Sequence, residues 1–183
     1  MALFASSYIP TVAASVTRNA DAISFPFGAI PQAMTVYIRW IEQHADFTTQ
    51  RFLIQIGSLA ATNPRFVVDH NSFGTQIATT YFNAAGTTVS SVVTSGLTIG
   101  ATAEARAVLN SIGSVLLGVS VNGGVESLGS ASAALALPQT WLNPNLVIGA
   151  AGTLAVEYAA YVRVIITRGV QSLAVMQRLA AVA

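Results

Sequence analysis

The chain has 183 residues, of which 53% are hydrophobic and only 8% charged: eight Arg, seven acidic residues, no Lys and no Cys. The missing Cys excludes disulfides, thiolate metal sites and cysteine nucleophiles. The net charge of +1, with Arg scattered from Arg18 to Arg178, offers no basic patch for nucleic acid. An ordinary domain is about a quarter charged, so this surface must be built from Ser, Thr, Asn, Gln, Gly and Ala, which favours standing contacts with other subunits.

In chain order, Met1–Ser7 lacks a basic n-region and Pro10 follows soon after, so no signal peptide is expected. Residues 1–26 read as an N-terminal arm with the first strand, and 27–183 as one domain. The arm is rich in Ala, Val, Phe and Pro, and is expected to dock on a neighbour through Phe4, Tyr8, Ile9 and Pro10. From Met34 the pattern has period two. Met34, Val36, Ile38 and Trp40 alternate with Thr35, Tyr37 and Arg39. Phe52, Ile54 and Ile56 form a second apolar row, and Phe66 and Val68 a third. Val115, Leu117, Val119 and Val121 make a fourth, and Tyr158, Ala160, Val162, Val164 and Ile166 a fifth. Each row places apolar side chains on one face of a strand. Several opposite rows are only partly polar, so some strands should be covered on both faces.

Asn122-Gly123-Gly124 predicts a tight primed hairpin, since both central residues tolerate positive φ. Ala84-Ala85-Gly86 and Ser111-Ile112-Gly113-Ser114 read as turns, and Asn63-Pro64 and Asn143-Pro144-Asn145 as loops. Residues 101–109 contain Ala, Glu and Arg that suit a helix, but a helix there would interrupt a run of hairpins, and a strand is expected. From Ser172 to Ala181 the apolar residues Leu173, Met176, Leu179 and Ala180 fall at helical spacing. Charge is absent between Glu126 and Glu157, but turn residues break that stretch, and no run of about 20 apolar residues points to a membrane.

Catalytic chemistry is poorly supplied. The nearest acids are Glu42 and Asp46, across a loop, without the paired carboxylates that glycoside hydrolysis needs. His44 and His70 stand beside Asp46 and Asp69, and are read as solvated loop histidines with no flanking triad signature. Asp69 and Asn71 are the weak candidates for calcium, which wants six to eight oxygens. No metal or cofactor is expected, and no enzyme. Trp141, flanked by Pro138 and Asn143-Pro144-Asn145, could stack a sugar ring while Asn143 and Asn145 fix hydroxyls, or could plug the end of the domain. Trp40 belongs to the core, and Arg39 and Arg163 face solvent on neighbouring strands.

Two segments carry a resemblance. Ser7-Tyr8-Ile9-Pro10-Thr11 through Val16-Thr17-Arg18-Asn19-Ala20-Asp21 resembles the "SYIPT…AVTRAAD" segment of bacteriophage head and tail proteins with concanavalin A-like modules; Asn19 stands where Ala is usual. From Met34 onward the chain resembles a laminin-G or pentraxin-type concanavalin A-like domain. The match runs through Met34–Trp40, the "lyvdG"-like Leu116–Gly123, the "l.lG"-like Leu146–Gly149, and Tyr161–Val170 with the helix after it. The aromatic usual before the hairpin is absent, as are the helix's acidic residues. The resemblance implies an all-β, two-sheet antiparallel jelly-roll sandwich with a short C-terminal helix. It implies a virion structural protein, a capsid decoration or tail component that binds other virion subunits and forms a homo-oligomer. The alternative is a tail or fibre module that binds a host glycan.

Overall fold

The computed structural model describes residues 23–26, 33–43, 50–57, 64–70, 76–137, 145–148 and 159–182. They form eleven strands and one helix: β1 (Ile23–Pro26), β2 (Met34–Glu42), β3 (Arg51–Gly57), β4 (Arg65–His70), β5 (Gln76–Phe82), β6 (Thr88–Thr94), β7 (Thr102–Leu109), β8 (Val115–Val121), β9 (Ser127–Leu128), β10 (Asn145–Ile148), β11 (Ala159–Arg168) and α1 (Leu173–Val182). A six-stranded sheet in the order β1-β10-β3-β4-β5-β6 faces a five-stranded sheet in the order β11-β2-β7-β8-β9, with every pairing antiparallel. This is the expected two-sheet jelly-roll sandwich.

The alternation read from the sequence sets the inner faces except on β3, where a register shift between Phe52 and Ile54 takes Phe52 out of the expected row and into a separate cluster with Val67 and Phe82. Met34, Val36, Ile38 and Trp40 of β2 meet Ile54 and Ile56 of β3, Phe66 and Val68 of β4, and Ile77 and Tyr81 of β5 in one buried cluster. On β7 the inner row is Ala103, Ala105 and Ala107, in register with Trp40, Ile38 and Val36. Small residues beside large ones let the facing layers interdigitate at interior density. The Tyr161 hydroxyl ties the sheets together by donating to the Leu53 carbonyl at 2.9 Å.

The turns are chemically specific. Asn122 (φ 51°) and Gly123 (φ 71°) form the two-residue primed turn, closed by Gly124 N donating to the Val121 carbonyl. The five-residue connections Asn83–Thr87 and Asn110–Ser114 repeat one design. In each, the asparagine Oδ1 accepts from the backbone N–H groups two and four residues on. After β9, a strap from Gly129 to Leu137 runs along β8, with Gly129 N and Ser132 N donating to the Leu117 and Val115 carbonyls. Leu135 and Leu137 of the strap pack on the core, and the Tyr81 hydroxyl donates to the Ala136 carbonyl. Ser172 caps α1 by accepting from Val175 N. The helix buries Met176 against the outer face of the five-stranded sheet, where Thr167 Oγ1 donates to Met176 Sδ.

Candidate functional site

Period two that aims Val36, Ile38 and Trp40 inward aims Tyr37, Arg39 and Ile41 outward. The register then assembles a row across four strands: Arg163 of β11 opposite Arg39 of β2, Arg39 opposite Glu104 of β7, and Glu104 opposite Ser120 of β8. The next row holds Ile165, Tyr37, Arg106 and Gly118. Glu104 is the hub. Its Oε1 accepts from the Tyr37 hydroxyl at 2.8 Å and lies 3.8 Å from Arg39 Nε, and its Oε2 accepts from Gln177 of α1 at 2.6 Å. Burial and the neighbouring Glu104 carboxylate hold the Tyr37 hydroxyl far above the usual phenol range, so it stays a neutral donor. Arg163 donates to the Ala180 carbonyl near the end of α1. Arg106 Nε donates to Glu126 Oε1 at 2.8 Å and Arg106 Nη1 to the Gln171 carbonyl at 3.3 Å.

Helix and sheet leave between them a cleft of about 200 Å³ lined by Tyr37, Arg39, Glu104, Gln177, Ala180 and Ala181. Arg39 is its open wall, 46% exposed. The cleft therefore presents a half-exposed guanidinium beside a carboxylate whose position is fixed by two other donors. Such a pairing of preset donor and acceptor suits hydroxyl and carboxylate groups of a polar ligand. Both carboxylates on this face, Glu104 and Glu126, already accept hydrogen bonds from neighbouring side chains.

The residues singled out from sequence fare differently. Arg39 faces solvent as expected, whereas Arg163, beside it in register, is half-buried against α1, where it donates to the Ala180 carbonyl. Trp40 is core, with no exposed surface. His70 corrects the expectation of a solvated loop histidine. It ends β4, is 1% exposed, and points inward because it follows Phe66 and Val68 on the inner row. There its Nε2 lies 3.0 Å from Oε2 of Glu42, the last residue of β2, which also accepts from Trp40 Nε1 at 3.2 Å. Asp69 points to the opposite face, 1% exposed, and accepts from Gln50 Nε2. Burial raises its pKa to about 6, against the Gln50 hydrogen bond, His70 and Arg65, which act the other way. Adjacent in sequence, Asp69 and His70 are thus split between two faces. Among the described residues, no group of three His, Asp or Glu side chains could hold a metal. Asn71, Trp141, Asn143 and the arm residues Phe4, Tyr8, Ile9 and Pro10 lie outside the described residues. Asn145 opens β10, between Pro26 of β1 and Gly57 of β3.

Sequence reading missed Tyr37, Glu104, Arg106, Glu126 and Gln177 as a group. The signal present was Glu104-x-Arg106, which puts both charges on one strand face.

No protein-family model matches the chain, and no curated protein does. Solved structures match its fold. One is the CBM40 carbohydrate-binding module of the Ruminococcus gnavus IT-sialidase, bound to α2,3-sialyllactose, with TM-score 0.55 and 11% identity over 87% of this chain and 96% of that one. The binding domain of botulinum neurotoxin serotype D gives 0.62 and 12% identity, over 89% of this chain and 40% of that one. The enzymatically active domain of tailspike protein 2 of bacteriophage CBA120 gives 0.59 and 13%, over 81% and 24%. The chain thus spans nearly all of the first but less than half of the other two. At these identities the likeness is one of fold.

Proposed function

We propose that this chain is a glycan-binding module, and that the cleft between Arg39 and Glu104 is where it reads the sugar. The observation that carries the reading is the Arg39–Glu104 cleft, a preset donor and acceptor on the sheet face of a sandwich whose structural neighbours include a sialyllactose-bound module of the same extent. The half-exposed Arg39 favours a glycan that bears a carboxylate, because a guanidinium binds that group through paired N–H donors. Trp141, Asn143 and Asn145 form the competing location. Their segment links the strap to β10 of the other sheet, so the two locations separate by mutation.

The test is calorimetric titration of the isolated protein with α2,3-sialyllactose, with lactose, and with an acidic host-surface polysaccharide. Binding of the acidic sugars and not of lactose, lost on Arg39→Ala and kept on Trp141→Ala, is the expected result. Binding lost only on Trp141→Ala moves the site to the loop. Binding of none of these probes overturns the reading.

The setting we infer is a phage tail. The tailspike among the neighbours supports it, while the segment from Ser7 to Asp21 suits head and tail proteins alike and composition supports a capsid decoration protein. In either setting the arm, through Phe4, Tyr8, Ile9 and Pro10, would dock the module on other virion subunits. Deleting Met1–Ser15 is then expected to abolish incorporation into particles while the sandwich stays folded.

A further inference from the structure

Strand β2 is buried along its whole length except at two residues, Arg39 and Ile41. They alternate with buried Trp40 and so share the outer face of the five-stranded sheet. Arg39 serves the cleft. Ile41, 37% exposed, stands two residues further on, about 7 Å along the strand. The register sets it opposite Thr102 of β7, which is half-buried and exchanges hydrogen bonds with Asn122 of the primed turn. Ile41, Thr102 and Asn122 carry no charge: an apolar side chain stands beside a hydroxyl and an amide.

The walls of the cleft leave this row as its continuation. α1 runs along the sheet from Arg106, which donates to the Gln171 carbonyl, to Arg163, which donates to the Ala180 carbonyl, and ends at Val182. It closes the β11 side. In the other direction along β2, Tyr37 has no exposed surface. On the β8 side the Gly124 carbonyl accepts from Ser120 Oγ and Glu126 lies against Gly118, so that segment roofs the strand. Among the described residues, the sheet face stays open past Arg39, toward Ile41 and Thr102. The cleft itself is small. At about 200 Å³ it falls below the roughly 300–1,000 Å³ of pockets that enclose drug-sized ligands, and has room for one sugar ring. A ring walled on three sides has one exit for the chain it belongs to, so it is a chain end.

Resting on the glycan reading of the cleft, we infer that it takes an acidic residue at the end of a glycan chain, and that Ile41 and Thr102 form a second subsite for the neutral residue next to it. The C–H face of the second ring covers the exposed part of Ile41, and its hydroxyls meet Thr102 and Asn122. An acidic second ring would bring its carboxylate over Ile41, with Arg39 already engaged by the first, and a charge losing water there without a partner is penalised.

Calorimetric titration of the full chain with N-acetylneuraminic acid, α2,3-sialyllactose and α2,8-linked disialic acid tests this. Sialyllactose, whose second ring is neutral, should bind about fivefold more tightly than the monosaccharide, through apolar area covered on Ile41. The disialic acid should bind no more tightly than the monosaccharide. Ile41→Ser should erase the gain of sialyllactose and leave the monosaccharide affinity unchanged, which also shows that the variant is folded. Ile41→Val should keep most of the gain. Equal affinities of the wild type for monosaccharide and sialyllactose overturn the second subsite and leave the glycan reading of the cleft standing, as does a gain that survives Ile41→Ser. A disialic acid that binds as tightly as sialyllactose overturns the neutral second residue. Absence of binding by all three probes overturns the glycan reading, and the subsite with it.

Discussion

Strand β2 carries two carboxylate clusters on its two sides, built from the same parts and put to opposite ends. On the inner side Glu42 accepts from an aromatic donor, Trp40, and lies 3.0 Å from Nε2 of His70. On the outer side Glu104 accepts from an aromatic donor, Tyr37, and pairs with Arg39. The inner cluster is sealed, with Glu42, His70 and Trp40 each at most 1% exposed. The outer one opens to water through Arg39. A sealed polar cluster has already lost its hydration and can only hold or break the fold. An open one costs the fold little and keeps donor capacity for a ligand. Chemistry alone does not mark a site; access does.

The largest expected effect breaks the sealed side. Glu42→Ala leaves the Trp40 N–H and His70 facing an apolar gap, and should destabilise the chain by about 4 kcal/mol, since two buried polar groups each lose a partner at about 1–3 kcal/mol apiece. Urea unfolding monitored through tryptophan fluorescence reads it directly. A loss below about 1 kcal/mol would mean that the cluster is reached by water, and the contrast with Glu104 would fail.

Second comes a buried carboxylate on the other face of β4. Asp69 has its folded pKa raised to about 6, above the ordinary 3.8, chiefly by burial. The folded state therefore binds the proton more tightly than the unfolded chain. Stability falls as pH rises from about 4 to about 6, and the cost above pH 6 is about 3 kcal/mol. Asp69→Asn keeps a hydrogen-bond partner for Gln50 and removes the charge. It should raise stability at pH 8 by up to that amount and change nothing at pH 3.5. Denaturation curves at the two pH values check it, and a stabilisation that does not depend on pH contradicts the assignment to Asp69.

Legibility from sequence followed the same division. The sandwich was readable because period two is set by burial, and burial is what Val36, Ile38 and Trp40 or Leu117 and Val119 advertise. Residues 102–109 were harder, because Ala103, Ala105 and Ala107 have helical propensity. They sit in a strand for their size, making room beside Trp40, Ile38 and Val36, and packing overrides propensity. The asparagines that organise two turns, Asn83 and Asn110, were hidden behind the glycines that end those turns. His70 was misread because a residue at a strand end has no following alternation to reveal its face. The outer cluster was not readable at all as a unit. Glu104 comes 65 residues after Arg39, and only strand register brings them together.

A third prediction probes the open side. Arg39→Ala should cost less than about 0.5 kcal/mol of folding stability, since the side chain is 46% exposed and stands 3.8 Å from Glu104. It should weaken binding of an acidic glycan about tenfold, equivalent to about 1.4 kcal/mol. Equal losses in stability and affinity would make Arg39 a structural residue like His70.

The smallest effect lies at the rim of the same face, where Gly118 leaves space for Glu126. A Cβ placed on Gly118 would lie 1.9 Å from Glu126 Oε1 and 2.5 Å from its Cδ. Gly118→Ala must therefore push Glu126 away from Arg106, which keeps only its 3.3 Å bond to the Gln171 carbonyl. Because Arg106 and Glu126 are 8% and 18% exposed, the lost charge-assisted bond should cost about 1 kcal/mol. A double-mutant cycle isolates the cause. In a Glu126→Ala background the obstructed carboxylate is gone, so Gly118→Ala should then cost almost nothing. An equal cost in both backgrounds would place the strain in the β8 backbone, and Gly118 would then serve the strand rather than the charged face it sits beneath.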